Sequence, residues 1–411
     1  MSQVHSSYYR PQIYPYESTE VVANIDRAQS IDPSEATNWV KVEEIGRDGK
    51  VGDLKKVPTI GYSLSQLEYG NFDFWRKITN QEDAILTITH ADFKTSTFDI
   101  AAFLTDDAGA FVGTQLYPEL RVAGFSINIP NTTDMVERKF DFVGEKAVTW
   151  QGANKYFVSG NSTVPSGETT NYEINLTSLV PAADPDDATY MFRVVRVSGG
   201  VTTTLALTTD FTYSNSTKIL TILSVTSGDV IKYYVTSAVA PASIFPLNDS
   251  DVAGILADSV DIYLYVPGSG HPAAADKVYR LQSATVDVKF DREDVREIGN
   301  RSVVQRGIKD TTVTVTLGEI VTGDWSIEEV LRGVVTGYGK IDIDELTDDA
   351  TIIIKIYTTN AKTTFKYGFL ASGLAPRDLK PGASINAYVK KDTTMEGETF
   401  TLTTDAGVLG I

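Results

Sequence analysis

Residues 40–78 read VKVEEIGRDGKVGDLKKVPTIGYSLSQLEYGNFDFWRKI, and residues 288–331 read VKFDREDVREIGNRSVVQRGIKDTTVTVTLGEIVTGDWSIEEVL. Sliding the chain by 253 residues lays one stretch on the other without a gap. Glu44-Ile45-Gly46 then falls on Glu297-Ile298-Gly299, Val51, Lys56 and Thr59 on Val304, Lys309 and Thr312, and Leu64 and Gly70 on Leu317 and Gly323. The match begins near Arg27, Gln29 and Ser30, which meet Arg280, Gln282 and Ser283, and runs to Thr105 and Ala108, which meet Thr358 and Ala361. Chance identities do not keep one offset over so long a run, so the chain reads as an internal duplication. Past Ala108, setting Gly124 opposite Gly373 predicts a hairpin four residues longer in the first copy.

Each copy reads as β with one short helix. Tyr62 and Leu64, like Val313, Val315 and Leu317, alternate with small or polar residues, the period of a half-buried strand. Phe98 to Leu104 and Thr351 to Tyr357 are further strands, the second rich in β-branched residues. Between them, Asn71 and Asp324 stand as N-caps before Phe72–Ile78 and Trp325–Leu331. Trp75 and Ile78 in one, and Ile327, Val330 and Leu331 in the other, give each helix an apolar stripe for a sheet.

Two copies of about 150 residues at this offset leave a foreign stretch between them. It is dense in Thr, Ser and Val, with short strands at Tyr190–Val197, Val201–Leu207, Lys218–Leu223 and Val230–Val235 separated by turn residues. Pro181–Asp187 and Ala240-Pro241 carry loop chemistry. The expected organisation is therefore residues 1–149 as copy 1, 150–245 as an inserted immunoglobulin-like sandwich folding separately, and 246–411 as copy 2.

Composition narrows the chemistry. The 411 residues hold no cysteine and three histidines, His5, His90 and His271, without metal-ligand spacing, so thiol and disulfide chemistry are excluded and no metal or other cofactor is expected. A net charge of −18 opposes binding to phosphate backbones and to anionic membranes. No apolar core follows Met1 and no run has membrane-spanning length, so synthesis and assembly are expected in the cytoplasm, away from membranes. The acidic groups Asp342–Asp349 and Asp184–Asp187 lack the glycine turn and closing Glu of a calcium loop and read as solvated faces. There is no G-x-S-x-G elbow and no phosphate loop, so the chain is read as non-enzymatic. Paired carboxylates of a carbohydrate-active β enzyme are the catalytic alternative, because such pairing is spatial.

The segments Arg47–Pro58 and Asn300–Thr311 are basic islands in an acidic chain, in register and each between two strands. They read as charged loops contacting a neighbouring subunit, with Lys50, Lys55, Lys56, Arg301, Arg306 and Lys309 as the contact residues, or as plain solvated hairpins.

With this order of strand, E-I-G, basic loop, strand and short aromatic helix, the two quoted stretches resemble the tail-tube (major tail) proteins of long-tailed viruses. The resemblance implies two tandem β-sandwich tube domains, each flanked by a short α-helix, with the inserted sandwich between them. It implies a structural virion protein whose subunits form stacked trimeric, pseudo-hexameric rings. The partners would be other copies and other tail proteins (tape measure, terminator, baseplate), and double-stranded DNA would pass through the lumen without specific binding. Another non-catalytic tail, baseplate or surface-adhesion protein is the alternative within the structural class.

Overall fold

The structure, a computed structural model, describes residues 9–15, 23–25, 27–36, 39–43, 50–55, 58–81, 84–94, 96–105, 111–131, 133–151, 156–178, 191–199, 201–214, 216–237, 254–268, 276–279, 281–295, 305–320, 326–331, 346, 349–382 and 390–410. The chain is mainly β. From the N-terminus come β1 (Tyr9–Pro15), β2 (Ala23–Asn24), β3 (Ala28–Ala36), β4 (Trp39–Glu43), β5 (Lys50–Lys55), β6 (Thr59–Leu67), helix α1 (Asp73–Ile78), β7 (Thr87–Thr89), β8 (Phe98–Thr105), β9 (Phe111–Ile129) and β10 (Glu137–Gly144). A middle set follows: β11 (Val148–Gln151), β12 (Tyr156–Thr163), β13 (Tyr172–Asn175), β14 (Met191–Ser198), β15 (Val201–Leu205), β16 (Phe211–Ser214), β17 (Ile219–Ile222) and β18 (Val230–Ser237). The last set is β19 (Val260–Tyr265), β20 (Leu281–Val295), β21 (Gln305–Ile320), helix α2 (Ser326–Leu331), β22 (Ala350–Tyr357), β23 (Phe365–Gly382), β24 (Lys390–Gly397) and β25 (Thr399–Thr403).

These elements divide into two compact units. One holds Met1–Ile25, Thr97–Glu119 and Lys146–Asp249; the other holds Asp26–Ser96, Leu120–Glu145 and Ser250–Ile411.

In the second unit eight antiparallel strands run in the order β23-β24-β21-β20-β9-β10-β6-β3. Alternation decides which side each residue faces. Val286, Val288 and Phe290 of β20, Val313, Val315 and Leu317 of β21, and Phe140 and Phe142 of β10 all point to the buried side. Trp75 of α1 sits on that side, its ring 4.8 Å from Phe125 and 4.9 Å from Phe140. The helix starts where Asn71 Oδ1 accepts the Asp73 backbone N–H at 2.8 Å, which satisfies a donor that the first turn leaves open. A second sheet of β19, β22, β23, β25 and β7 shares β23 with the first. Phe369 and Phe400 of that sheet stack at 5.7 Å, and Phe400 reaches Phe290 at 6.2 Å, so the two sheets close on one aromatic core.

The matched halves pair alike. Ser30 opposes Ser65 and, 253 residues on, Ser283 opposes Gly318. The bulge after Ala28 recurs after Leu281. Helices α1 and α2 start 253 residues apart, as do β10 and β24. Beyond β8 the ladders correct the expected alignment. Lys139 pairs with Ser126 and its counterpart Asp392 with Lys380, so β9 and β23 lie 254 residues apart. At β9 and β23 the second half thus runs one residue ahead, a difference lost again by β10 and β24, and Gly373 stands opposite Glu119, not Gly124. Both occupy the left-handed region, at φ 66 and 55.

In the first unit the middle strands form two sheets, β12-β18-β14-β15 and β13-β17-β16. Val194, Leu205, Ile231 and Val235 from the first meet Ile174, Phe211, Leu220 and Ile222 from the second in one core. Strands β1, β11 and the first part of β9 pair around β8 and each other in the same unit.

Candidate assembly surface

The eight-stranded sheet presents its other face to solvent, and that face is polar from edge to edge. One row across it runs Glu396, Thr314, Asp287, Ser126, Lys139, Ser65; the next runs Thr394, Thr316, Thr285, Asn128, Glu137. Three of its cations are paired locally, while Lys289, two residues beyond Asp287 on the same face, is exposed. Lys139 lies 3.7 Å from Asp141, Arg377 lies 3.0 Å from Glu396, and Lys380 pairs with Asp378. Short hydroxyls and paired charges give a hydrated surface without a concentrated positive field.

The centre of this sheet is a seam between the two halves. Strand β20 pairs with β9 from Ala284 opposite Ile129 to Lys289 opposite Gly124. Gly124 is required here, because a Cβ at that position would stand 2.7 Å from the Val288 carbonyl oxygen. The sheet ends in the strands equivalent to those two. Its outer strand β3 corresponds to β20, and the stretch of β23 after Ala375, which corresponds to β9, pairs on one side with β24. Among the described residues neither outward edge has a partner strand. Unpaired edges are templates for another strand.

Sequence reasoning placed the basic residues in loops; the structure puts those it describes in strands. Lys50 and Lys55 begin and end β5, which among the described residues pairs with β4 alone, while Arg306 and Lys309 lie in the first part of β21, which among the described residues pairs there with β20 alone. Lys309 is the extra residue of a bulge between the Asp291 and Arg292 pairs. The register of β4 with β5 differs by one residue from that of β3 with β6, the same difference that the β20–β21 pairing shows across its bulge. Each half therefore carries a two-stranded arm past the body of its sheet. The hairpins are longer than the sequence suggested because their many charged residues, such as Lys41, Asp53, Glu293 and Arg306, read as loop chemistry although their backbones pair. Lys56 and Arg301 lie outside the described residues.

No group of three or more His, Asp and Glu able to hold a metal occurs among the described residues, and no described helix is long and apolar enough to cross a membrane. An open pocket of about 310 Å³ is lined by Asp258, Asp261, Lys277, Tyr279 and Lys362, among others. Burial raises the Asp261 carboxyl, but Lys277 at 2.6 Å and Lys362 at 2.5 Å outweigh it and hold the group below its ordinary value. A carboxylate clamped by two ammonium groups is a poor proton acceptor, and nothing in this arrangement activates a nucleophile.

No protein-family model and no curated protein matches the chain. Among solved structures, a chain of the anti-feeding prophage baseplate, determined by cryo-electron microscopy with sixfold symmetrisation, is similar over 37% of this chain and 98% of its own length. It has 10% sequence identity and a TM-score of 0.27, too slight a likeness to carry a functional argument.

Proposed function

We propose that this chain is a non-catalytic structural subunit of a viral tail, and within the tail a subunit of the tube. Copies join head to tail, three chains close a pseudo-hexameric ring, and rings stack into a conduit for double-stranded DNA. Other tail proteins would cap and fill the tube. The carrying observation is the β20–β9 seam. It joins two like halves through unlike edges, and the sheet ends in the same two unlike edges. A head-to-tail contact of this kind either closes into a ring or propagates.

Carrying the inner seam outward gives the register between chains. Asp287 opposes Ser126 inside the chain, so Ser34 of one copy should oppose Lys380 of the next. Asp378 stands where the inner seam has Gly124, so the outer seam must open slightly at that residue. The chain has no cysteine, which makes the test clean. Ser34→Cys with Lys380→Cys should yield disulfide-linked dimers and closed trimers under oxidation, since directly opposed strand residues lie within bridging range. Rings of any other number, or no cross-link in assembled material, would overturn the reading. Rings that close but never stack would favour a baseplate-type component over a tube.

The two-stranded arms are the proposed contact between successive rings, their cations meeting the acidic surface of a neighbour. Lys55→Glu with Lys309→Glu should slow tube growth at low salt, and the difference should shrink toward 1 M salt, where charges are screened beyond about 3 Å. Unchanged growth rates at low salt would make the arms ordinary solvated hairpins.

A further inference from the structure

The four-stranded sheet of the middle segment is buried on both faces. Val194, Ile231 and Val235 point into its own core. Their alternating neighbours Arg193, Val195, Lys232 and Tyr234 are as enclosed, at 7%, 0%, 4% and 3% exposure. An antiparallel sandwich standing alone shows this second face to water. Here β14 is bulged between Met191 and Arg193, a device that re-aims a side chain. The Arg193 guanidinium meets Asp99 of β8 as a fork, Nη1 donating to Oδ2 at 2.6 Å and Nη2 to Oδ1 at 3.2 Å. Oδ1 also accepts the backbone N–H of Glu119 at 2.8 Å, holding that residue in its left-handed conformation. The Tyr234 ring lies 5.7 Å from the guanidinium, and the Glu119 carboxylate reaches Lys146 at 3.9 Å.

The second half of the chain, which carries no insert, is an internal control. At the 253-residue offset Ile352 stands where β8 has Asp99, and at the 254-residue offset of β9 and β23 Gly373 stands where β9 has Glu119. Ile352 is fully buried. At these two positions the buried carboxylate and the non-glycine left-handed residue belong to the half to which the insert is joined.

We propose that the outer face of the insert's four-stranded sheet is a docking surface whose occupant is strand β8 of the same chain, with the Arg193–Asp99 fork as its orienting contact. The insert is then a fixed part of the first copy and not an appendage that can be removed. Bidentate pairing of this type fixes orientation as well as contact, and removing one member strands the other as a buried charge.

The test is hydrogen exchange on the full-length chain. Arg193→Ala should accelerate exchange of β8 and β14 amides by about 100-fold or more, and Asp99→Ile should do the same. Arg193→Met combined with Asp99→Ile, the residue of the insert-free half, should bring protection back to within about tenfold of the parent. Should Arg193→Ala yield no folded protein, Arg193→Lys reads the same contact. It keeps the charge and loses the fork, with about tenfold faster exchange expected. Single variants that leave exchange unchanged, or a double variant no better protected than the singles, would overturn the proposal.

Discussion

Arg138→Ala is expected to destabilise the unit containing β10 by about 3–5 kcal/mol, the cost of breaking a buried ion pair from one side. Arg138 alternates with Phe140 and Phe142 on the buried face of β10, and neither its side chain nor that of Glu68 has any exposure. Nη1 donates to Glu68 Oε2 at 3.3 Å and to the Asn71 carbonyl at 3.1 Å, and Nε donates to Gln66 at 3.2 Å. Tyr367 donates to the same Glu68 oxygen at 2.6 Å. Burial, reinforced by Glu68, pushes that phenol well above its ordinary range, so it remains a donor. The other Glu68 oxygen accepts the backbone N–H groups of Tyr69 and Gly70 at 2.9 and 2.6 Å. One carboxylate thereby fixes the turn after β6 and ties it to β23. Truncating Arg138 leaves the fully buried Glu68 side chain without its ion-pair partner and removes the guanidinium that faces the Trp75 and Phe140 rings at 5.9 and 5.7 Å. Arg138→Met with Glu68→Gln should recover most of the loss, because an apolar replacement of a whole buried pair is often near neutral. Urea denaturation followed by tryptophan fluorescence measures both, and a loss under 1 kcal/mol for Arg138→Ala would show that the network contributes little.

The sequence pattern could reveal one part of this site and not the rest. Arg138 interrupts an otherwise apolar face, and a charged residue in a core-facing slot signals a buried partner. Its identity could not be read, because Glu68 and Tyr367 are brought near by folding and not by spacing. Strands β6 and β21 and both helices were legible, since alternation and the 253-residue offset act over short, regular stretches. The alignment past Ala108 failed for a physical reason. Left-handed positions usually hold glycine, so pairing Gly124 with Gly373 was natural. In the folded chain Glu119 takes the left-handed slot, held by Asp99, while Gly124 serves the close approach to Val288 at the seam. The strands of the middle segment were legible from their turns. Its second buried face was not, because Arg193 and Lys232 look like solvent residues until their surroundings are known.

The largest functional change is expected from reversing charge on the polar face of the eight-stranded sheet, on the proposal that this face lines the conduit. Glu137 and Asp287 stand there in adjacent rows beside the Lys139–Asp141 pair. Duplex DNA carries about one charge per 1.7 Å of axis, and a protein that neutralises six to ten phosphates loses roughly 10³–10⁵ in affinity between 50 and 200 mM salt. Stacked rings would repeat any such contact along the duplex, so even weak sites would add by avidity and stall a moving genome. The parent assembly should therefore show no salt-dependent retention of linear duplex DNA. Glu137→Lys with Asp287→Lys changes the face by four charges per chain, and each ring would then offer a belt of unpaired ammonium groups. Assembled variant should bind DNA tightly in low salt and release it steeply as salt rises, while unassembled variant, with few contacts per molecule, binds far more weakly. Retention by the parent assembly at 50 mM salt would remove the conduit from the proposal. An assembled variant that binds no better than the parent would mean that this face does not line a channel accessible to DNA.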